Sequence, residues 1–125
     1  MRTRMVAGPL PRSGGPTIVS LTEFTPRYAR DWPLIARDGL ALTRGWWAMA
    51  GAIGVVLYGD VRHRVGGSLS LWASEEDLRR FVALPRHAAI MRRYRDRGTV
   101  RAAVWTAEDL DINATIARRA TWLTT

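Results

Sequence analysis

The side chain best suited to acid–base chemistry in this sequence is His87, one of two histidines. An imidazole changes its charge close to neutral pH, so it can take a proton from a substrate, and it can also bind a haem iron. His87 follows Pro85 at a predicted break between two helices, where it could equally complete the local packing. The catalytic and structural interpretations both stay open. The second histidine, His63, lies in a polar loop that predicts solvent exposure.

Two tryptophans near the ends of predicted strands could form a flat pocket. Trp72 lies near the end of the stretch 68–73, and Trp105 lies near the end of the stretch 99–106. An indole ring offers a large apolar face to an aromatic or polyene ligand, but it also serves as an ordinary core residue. The pair therefore has two interpretations, a ligand pocket and a filled core.

Several other chemistries are excluded or unsupported. The sequence has no cysteine, which excludes disulfides, zinc–thiolate sites and cysteine nucleophiles. It shows no glycine-rich phosphate loop, catalytic triad, paired catalytic carboxylates or cluster of metal ligands. We therefore predict no metal site, and haem at His87 is the one cofactor that the residue types leave open.

The charge of the chain is strongly positive, with a formal net charge of +8. All its basic residues besides histidine are arginines, and they are scattered along the chain except for Arg92, Arg93, Arg95 and Arg97. Because nucleic-acid binding favours a stripe or patch of such residues, we do not predict a nucleic-acid partner. No apolar run reaches the roughly 20 residues that a membrane span needs, nor is there a signal-peptide pattern, so we predict a cytoplasmic protein.

The spacing of apolar residues predicts an α+β fold. Alternating or β-branched runs predict strands at 17–25, 55–58, 68–73 and 99–106, and a stripe with helical spacing runs from Trp32 to Ile53. Part of that stripe, 46–56, could instead be a long strand. Ser74 can cap a helix that Pro85 ends, a second helical piece follows, and an extra helix is predicted after the last strand. The order β-α-β-β-α-β predicts a ferredoxin-like fold with a four-stranded antiparallel sheet.

The predicted domain organisation is a flexible arm at 1–16 and a single domain at 17–125. Glycines and prolines crowd the first stretch, which is typical of a loose segment. Since both main helices of a ferredoxin-like fold cover one face of the sheet, the other face needs a cover of its own. The candidates for that apolar face are Leu69, Leu71 and the face formed by Val100, Ala102 and Val104, and a second copy of the chain would cover it economically.

The segment 69–81, together with the later His87, resembles the dimeric α/β-barrel superfamily. The shared features are a strand ending in Trp72, an acidic helix start at 75–77, the pattern Leu78-x-x-Phe81 and the following histidine. The branch that it is most similar to contains the antibiotic-biosynthesis-monooxygenase-like and spheroidene-monooxygenase-like proteins. The resemblance extends over about 17–107.

The resemblance implies a homodimer in which two sheets pack together as a barrel, with a ligand pocket between each sheet and its helices. It places His87 on the helical wall as the catalytic candidate, or as a haem ligand. The residues that it implies for the pocket are Trp72, Ser70, Phe81 and Trp105. The implied function is that of a monooxygenase-like oxidoreductase acting on a hydrophobic aromatic or polyene small molecule. A haem-binding protein and a non-catalytic ligand-binding or assembly protein are the alternatives.

The sequence also departs from two patterns of that superfamily. The haem-degrading members carry their histidine closer to the strand tryptophan, where this chain has Phe81 or Val82. The cofactor-free oxygenases use an asparagine beside the tryptophan, where this chain has Ser70 and Ala73. Neither set of site residues can therefore be transferred whole.

Overall fold

A computed structural model describes residues 1–123, which form one antiparallel sheet with helices on both faces. The strands are β1 (Val6–Ala7), β2 (Thr17–Pro26), β3 (Ala52–Asp60), β4 (Val65–Trp72) and β5 (Gly98–Ala107). The helices are α1 (Asp31–Thr43), α2 (Glu75–Val82), α3 (Pro85–Tyr94), α4 (Ile112–Ala117) and α5 (Arg119–Trp122). A single 3-10 turn, Trp46–Ala48, lies between α1 and β3.

The strands follow the order β1-β3-β4-β2-β5, and every pairing is antiparallel. The four long strands and the helices between them form the ferredoxin-like arrangement, which confirms the predicted fold class. The prediction of four strands is wrong by one, because Val6 and Ala7 pair with Val55 and Gly54 at the edge of the sheet. Such a short strand carries no periodic pattern, and the glycines and prolines after it dominate the sequence signal.

The rest of the predicted arm also follows β3. The amide of Thr3 donates to the Leu57 carbonyl over 2.8 Å, and the Leu57 amide donates to the Thr3 hydroxyl over 3.1 Å. The flexibility of residues 1–16 and the domain boundary at residue 17 stay predictions. Residues 124 and 125, with which the predicted domain ends, lie outside the described residues.

The first helix is shorter than its apolar stripe predicts. It ends at Thr43, and Gly45 then takes a left-handed backbone with φ of 78°, a conformation that glycine adopts without steric cost. Trp46 consequently lies in the 3-10 turn, and Ile53 lies in β3. The helical spacing of these two residues is therefore a coincidence of sequence, since the backbone changes direction at Gly45, before Trp46, and again at Gly51, before Ile53.

The start of α2 is as the sequence predicts. The Ser74 hydroxyl oxygen accepts a hydrogen bond from the Asp77 amide over 3.2 Å and donates one to the Asp77 carboxylate over 2.8 Å. This pair satisfies a backbone group that the first turn of a helix otherwise leaves unpaired. Pro85 begins α3 as a separate helix, at a position where its missing amide proton costs nothing. These local signals place Trp72 at the end of β4 and His87 in the first turn of α3.

The two faces of the sheet have different covers. Ile18 pairs with Trp72 and faces α1, α2 and the 3-10 turn, whereas its neighbour Val19 faces the opposite side. On that opposite side, Ile112 of α4 and Leu123 pack into the same cluster as Leu71. We call this side the far face, and α4 with α5 its cover.

Because α4 and α5 cover the far face, it is not the bare apolar face that the sequence predicts. Leu69 and Leu71, two of the residues predicted to lie on a bare face, are each 1% exposed in the single chain, whereas Val104, also predicted to share that face, pairs with Ser20 and lies on the opposite one. The second face of the sheet is therefore closed by the C-terminal helices of the same chain. The extra C-terminal helix that the sequence predicts is present as two short helices, and it performs the covering that we assigned to a second copy.

Candidate functional site

Three aromatic rings meet between the sheet and the helices. Trp46 lies with its ring centroid 5.5 Å from that of Trp72 and 5.0 Å from that of Phe81, and the Trp72 and Phe81 centroids are 5.2 Å apart. Trp72 is 0% exposed and Trp46 is 1% exposed. These distances are contact distances for aromatic rings, so the space between the rings is filled. With His87, which contacts Phe81, these rings form what we call the aromatic cluster.

The position of Trp72 follows from β4 and from one hydrogen bond. Ser70 lies two residues earlier on the same face of the strand, and its hydroxyl oxygen accepts from Trp72 Nε1 over 2.8 Å. Phe81 reaches the ring from α2, where it shares the buried side with Leu78. Three of the residues predicted for the pocket, Trp72, Ser70 and Phe81, are thus brought together.

His87 lies at the edge of the aromatic cluster, in the first turn of α3. Its ring centroid is 4.9 Å from that of Phe81, and the two rings meet edge to face. The Nδ1 atom is buried and has no hydrogen-bond partner among the described residues. The structure therefore brings the predicted catalytic residue to the predicted pocket, with one nitrogen unused.

The surroundings of His87 favour its neutral form. Burial lowers the pKa of His87 below its ordinary value of 6.5, because a charged imidazolium is poorly solvated there. A hydrogen bond to the Val82 backbone opposes this shift in part, although Nδ1 itself meets no partner at full hydrogen-bond geometry among the described residues. The positive end of α3 also disfavours a charged imidazole in its first turn. A neutral imidazole with a free nitrogen is a ready proton acceptor at neutral pH.

Trp46 is the member of the aromatic cluster that the sequence did not predict as a site residue. It lies in the 3-10 turn, and its Nε1 atom is buried without a hydrogen-bond partner in the described part of the chain. Leaving such a group unpaired costs about 1–3 kcal/mol. The signal that could have identified Trp46 is the pair of glycines, Gly45 and Gly51, that bracket the Trp46-Trp47 dipeptide and break the helical stripe.

Trp105 lies apart from the other predicted pocket residues. It pairs with Val19 in the sheet register, which places it on the far face. There its ring stacks on Trp122 of α5, with centroids 4.3 Å apart and ring planes 4° from parallel. Grouping Trp105 with Trp72 is therefore corrected by the register: a shift of one residue along a strand reverses the face.

A polar network fixes the cover to the far face. Arg119 of α5 donates from Nε to Glu23 over 2.6 Å and from Nη2 to Asp60 over 2.8 Å. The Tyr58 hydroxyl donates to the same Glu23 oxygen over 2.9 Å. On the other side, His63 Nδ1 lies 2.7 Å from Asp60. An open cavity of about 440 Å³ lies beside this network, lined in part by Tyr58, Asp60 and Arg119.

The pKa values in this network point to structure rather than catalysis. Hydrogen bonds from His63 and then Arg119 hold the pKa of Asp60 far below its usual range. Burial, followed by the charge of Glu23, raises the pKa of the Tyr58 hydroxyl far above its usual range. Both side chains therefore keep their ordinary protonation state at neutral pH, and neither is prepared to exchange a proton there.

The same geometry bears on whether the chain can hold a metal ion or a haem. In residues 1–123, no three or more side chains of His, Asp or Glu are grouped as metal ligands would be. The Phe81 and Trp72 rings are in contact beside His87, so the aromatic cluster as packed holds no open space for a haem. Within the same range, no helix is long and apolar enough to cross a membrane.

Known proteins match this chain in structure but not in sequence. No protein-family model and no curated protein matches the sequence. SnoaB, a cofactor-independent oxygenase from Streptomyces nogalater, is 16% identical with a TM-score of 0.59, over 77% of this chain and 97% of that chain. A Deinococcus radiodurans protein assigned as an antibiotic biosynthesis monooxygenase is 12% identical with a TM-score of 0.66, over 76% and 97%. Rv0793 from Mycobacterium tuberculosis is 18% identical with a TM-score of 0.60, over 76% and 96%.

These identities are too low to carry an activity from one protein to another, and fold alone does not fix function. They do cover nearly the whole length of each similar protein and about three quarters of this chain. The likeness agrees with the resemblance carried by the segment 69–81 and His87. The chain therefore has the fold of the antibiotic-biosynthesis-monooxygenase-like proteins.

Proposed function

We propose that the chain is a monooxygenase-like enzyme that acts on a hydrophobic aromatic or polyene molecule, with His87 as its general base. The observation that carries the proposal is the buried, unpaired Nδ1 of His87 at the edge of the aromatic cluster. A buried polar atom without a partner is uncommon and calls for an explanation. A hydroxyl group of a bound ligand supplies the missing partner.

The chemistry assigned to His87 is the removal of one proton. The neutral imidazole accepts a proton from a hydroxyl group of the substrate and becomes an imidazolium. The substrate anion that results is richer in electrons, which is the property that reaction with dioxygen requires. The faces of Trp72 and Phe81 are covered as packed, so a flat substrate reaches them when the cluster opens, and there these apolar rings keep water away from the anion.

An oxygen-uptake assay tests this proposal. The chain is incubated with hydroxylated two-ring and three-ring aromatics and with polyenes, and oxygen consumption and product are measured together. We expect turnover of at least one flat substrate, and its loss in His87→Ala and in Trp72→Ala. Turnover that both variants leave unchanged would contradict the assignment of the site.

The closed packing of the aromatic cluster favours one other function, a non-catalytic ligand-binding or assembly protein. Trp46 and Trp72 leave no open space between them in the structure, which is also how a filled core looks. Binding of a flat aromatic without any oxygen uptake across the substrate series would support this second candidate. Oxygen uptake that depends on His87 would exclude it.

We also propose that the chain forms a homodimer in competition with its own cover. Proteins of this fold are often dimeric, but here α4 and α5 already occupy the far face. A second sheet can pack on that face only as the cover moves aside, and Arg119 is its main polar attachment. Light scattering should therefore find a larger dimer fraction for Arg119→Ala than for the unchanged chain. A monomer at every concentration in both would overturn this proposal.

Two further expectations belong to the same proposal. We place the reaction in the cytoplasm, as the sequence predicts, and cell fractionation tests this location. Nucleic acid is not proposed as a partner, because two of the clustered arginines are engaged within the chain: Arg93 pairs with Asp38, and Arg97 pairs with Asp31. A DNA-binding titration that is strong and falls steeply with salt would contradict that expectation.

A further inference from the structure

We call the face of the sheet that α1, α2 and the 3-10 turn cover the helix side. The three most enclosed indole groups on this side and at its edge differ in one respect. Trp72 Nε1 donates to Ser70 over 2.8 Å, and Trp32 Nε1 donates to the Val65 carbonyl over 3.0 Å. Trp46 Nε1 has no acceptor among the described residues, although this side chain is 1% exposed. Trp46 is thus the one of the three that gains a hydrogen bond when it moves into water.

The segment that carries Trp46 is a short turn that is closed by its own hydrogen bonds and preceded by a glycine. Inside it, the Ala48 amide donates to the Gly45 carbonyl and the Met49 amide to the Trp46 carbonyl, each over 3.0 Å. Its first end, Gly45, has a left-handed backbone and open space where a side chain would be. These bonds keep the turn intact while rotation at Gly45 changes its direction.

The other end of the segment is fixed. The Gly51 carbonyl accepts from the Ala73 amide over 2.9 Å, and a Cβ atom at Gly51 would collide with the Asp77 side chain. The turn is therefore anchored at Gly51, whereas a Cβ atom at Gly45 would meet no neighbouring atom. A backbone rotation at Gly45 would carry the Trp46 ring out of the aromatic cluster.

The Trp46 indole fills the space between its neighbours, so that space is the size of one flat two-ring group. It lies against Trp72 and Phe81, and Phe81 in turn contacts His87. We propose that Trp46 is a removable plug, and that the space its indole leaves beside Trp72 and Phe81 is a ligand chamber. A flat two-ring aromatic molecule with a hydroxyl group takes the place of the indole there and bonds to His87 Nδ1. This inference rests on the proposed function. It makes Trp46 the residue that sets the size of ligand the chamber accepts.

Binding of 2-naphthol tests the plug. The ligand is titrated into the full chain and into Trp46→Ala, with Trp47→Ala as the matched control, because Trp47 is the neighbouring indole and is 74% exposed. We expect Trp46→Ala to bind about ten-fold or more tightly than the unchanged chain, since no plug has to leave. Trp47→Ala should stay within about two-fold of the unchanged chain.

A second measurement needs no substitution. In the unchanged chain, solvent exchange of the Trp46 Nε1 proton is followed by NMR, with the hydrogen-bonded Nε1 proton of Trp32 as an internal reference. Saturation with 2-naphthol should speed the exchange at Trp46 and leave that at Trp32 unchanged. This readout keeps the inference testable if Trp46→Ala does not fold.

The outcomes separate this inference from the proposed function. If 2-naphthol binds the unchanged chain with its affinity dependent on His87, while Trp46 exchange stays slow, the plug is overturned and the ligand chamber survives. If neither the unchanged chain nor a folded Trp46→Ala binds 2-naphthol or a larger aromatic phenol, both the chamber and the plug are overturned. Faster exchange at Trp46 together with tighter binding by Trp46→Ala supports both.

Discussion

Each face of the sheet carries a pair of tryptophans in contact, Trp46 with Trp72 and Trp105 with Trp122, yet only the first pair is buried, and the two faces satisfy their polar atoms differently. On the helix side, Trp46 and His87 both have a buried nitrogen without a partner within the described chain. On the far face, Arg119 is hydrogen-bonded to both Glu23 and Asp60. A face that completes its own hydrogen bonds needs no ligand, whereas the face with α1 leaves three buried atoms of the described residues open, Trp46 Nε1, His87 Nδ1 and Asp31 Oδ2, and has a reason to bind one. The comparison teaches that aromatic residues alone do not mark a site.

The largest expected effect is on the helix side, in turnover. Replacing His87 with Ala removes the proposed base, and loss of a general base lowers a rate by about 10²–10⁴-fold. His63→Ala is the matched control, because this histidine lies in the turn before β4, and we expect its oxygen-uptake rate to be unchanged. Equal losses in both variants would break the distinction between the two regions.

Substitutions on the far face should change the free energy of unfolding and leave the affinity for a ligand unchanged. Ile112 is buried against the sheet, so Ile112→Ala should lower the free energy of unfolding by about 2–4 kcal/mol, measured by urea denaturation. Val104→Ala, at a side chain that is 52% exposed, should change it by less than about 0.5 kcal/mol. The affinity of folded Ile112→Ala for 2-naphthol should match that of the unchanged chain. A weakened affinity would show that the two faces are coupled.

A smaller effect is expected from the polar attachment of the cover. Arg119→Ala leaves Glu23 and Asp60 without their guanidinium partner in a partly enclosed place, and we expect a loss of about 1–3 kcal/mol in the free energy of unfolding. Arg79→Ala breaks an exposed ion pair with Glu75 and should cost about 0–0.5 kcal/mol. Similar losses for both arginines would mean that the cover is held by apolar packing alone.

The smallest expected effect is a pH dependence of stability. Because the pKa of His87 is lowered in the folded chain, the unfolded chain binds more protons just below pH 6.5. The free energy of unfolding should therefore fall as the pH drops through 6.5, and be fully retained above it. His87→Gln should flatten this part of the curve, and the difference between the two urea-denaturation profiles isolates the contribution. Parallel profiles would show that His87 is not shielded from water.

Local signals allowed the sequence to predict most of the fold. The cap at Ser74, the break at Pro85 and the alternation along 17–25 each depend on neighbours in the chain, and each is present in the structure. The resemblance of the segment 69–81 and His87 to the dimeric α/β-barrel superfamily, rather than these local signals, placed Trp72, Phe81 and His87 in one predicted site. The ferredoxin-like arrangement follows because few topologies accommodate that order of elements.

What the sequence missed depends on contacts between distant segments. The face on which Trp105 lies is set by its register with Val19, which no local pattern reports. Trp46 has helical spacing with its neighbours, and only the turn at Gly45 brings it into the cluster. An apolar face at Leu69 and Leu71 requires a cover, but a second copy and a C-terminal helix pair satisfy that requirement equally well.

The position of a bound aromatic phenol tests the central claim most directly. A crystal structure of the chain with 2-naphthol should show the rings against Trp72 and Phe81, with the hydroxyl group hydrogen-bonded to His87 Nδ1. The far face should keep its cover, with Trp105 stacked on Trp122. If 2-naphthol instead lay between Trp105 and Trp122, or in the cavity beside Arg119, and the aromatic cluster stayed closed, the assignment of the helix side as the ligand site would be contradicted.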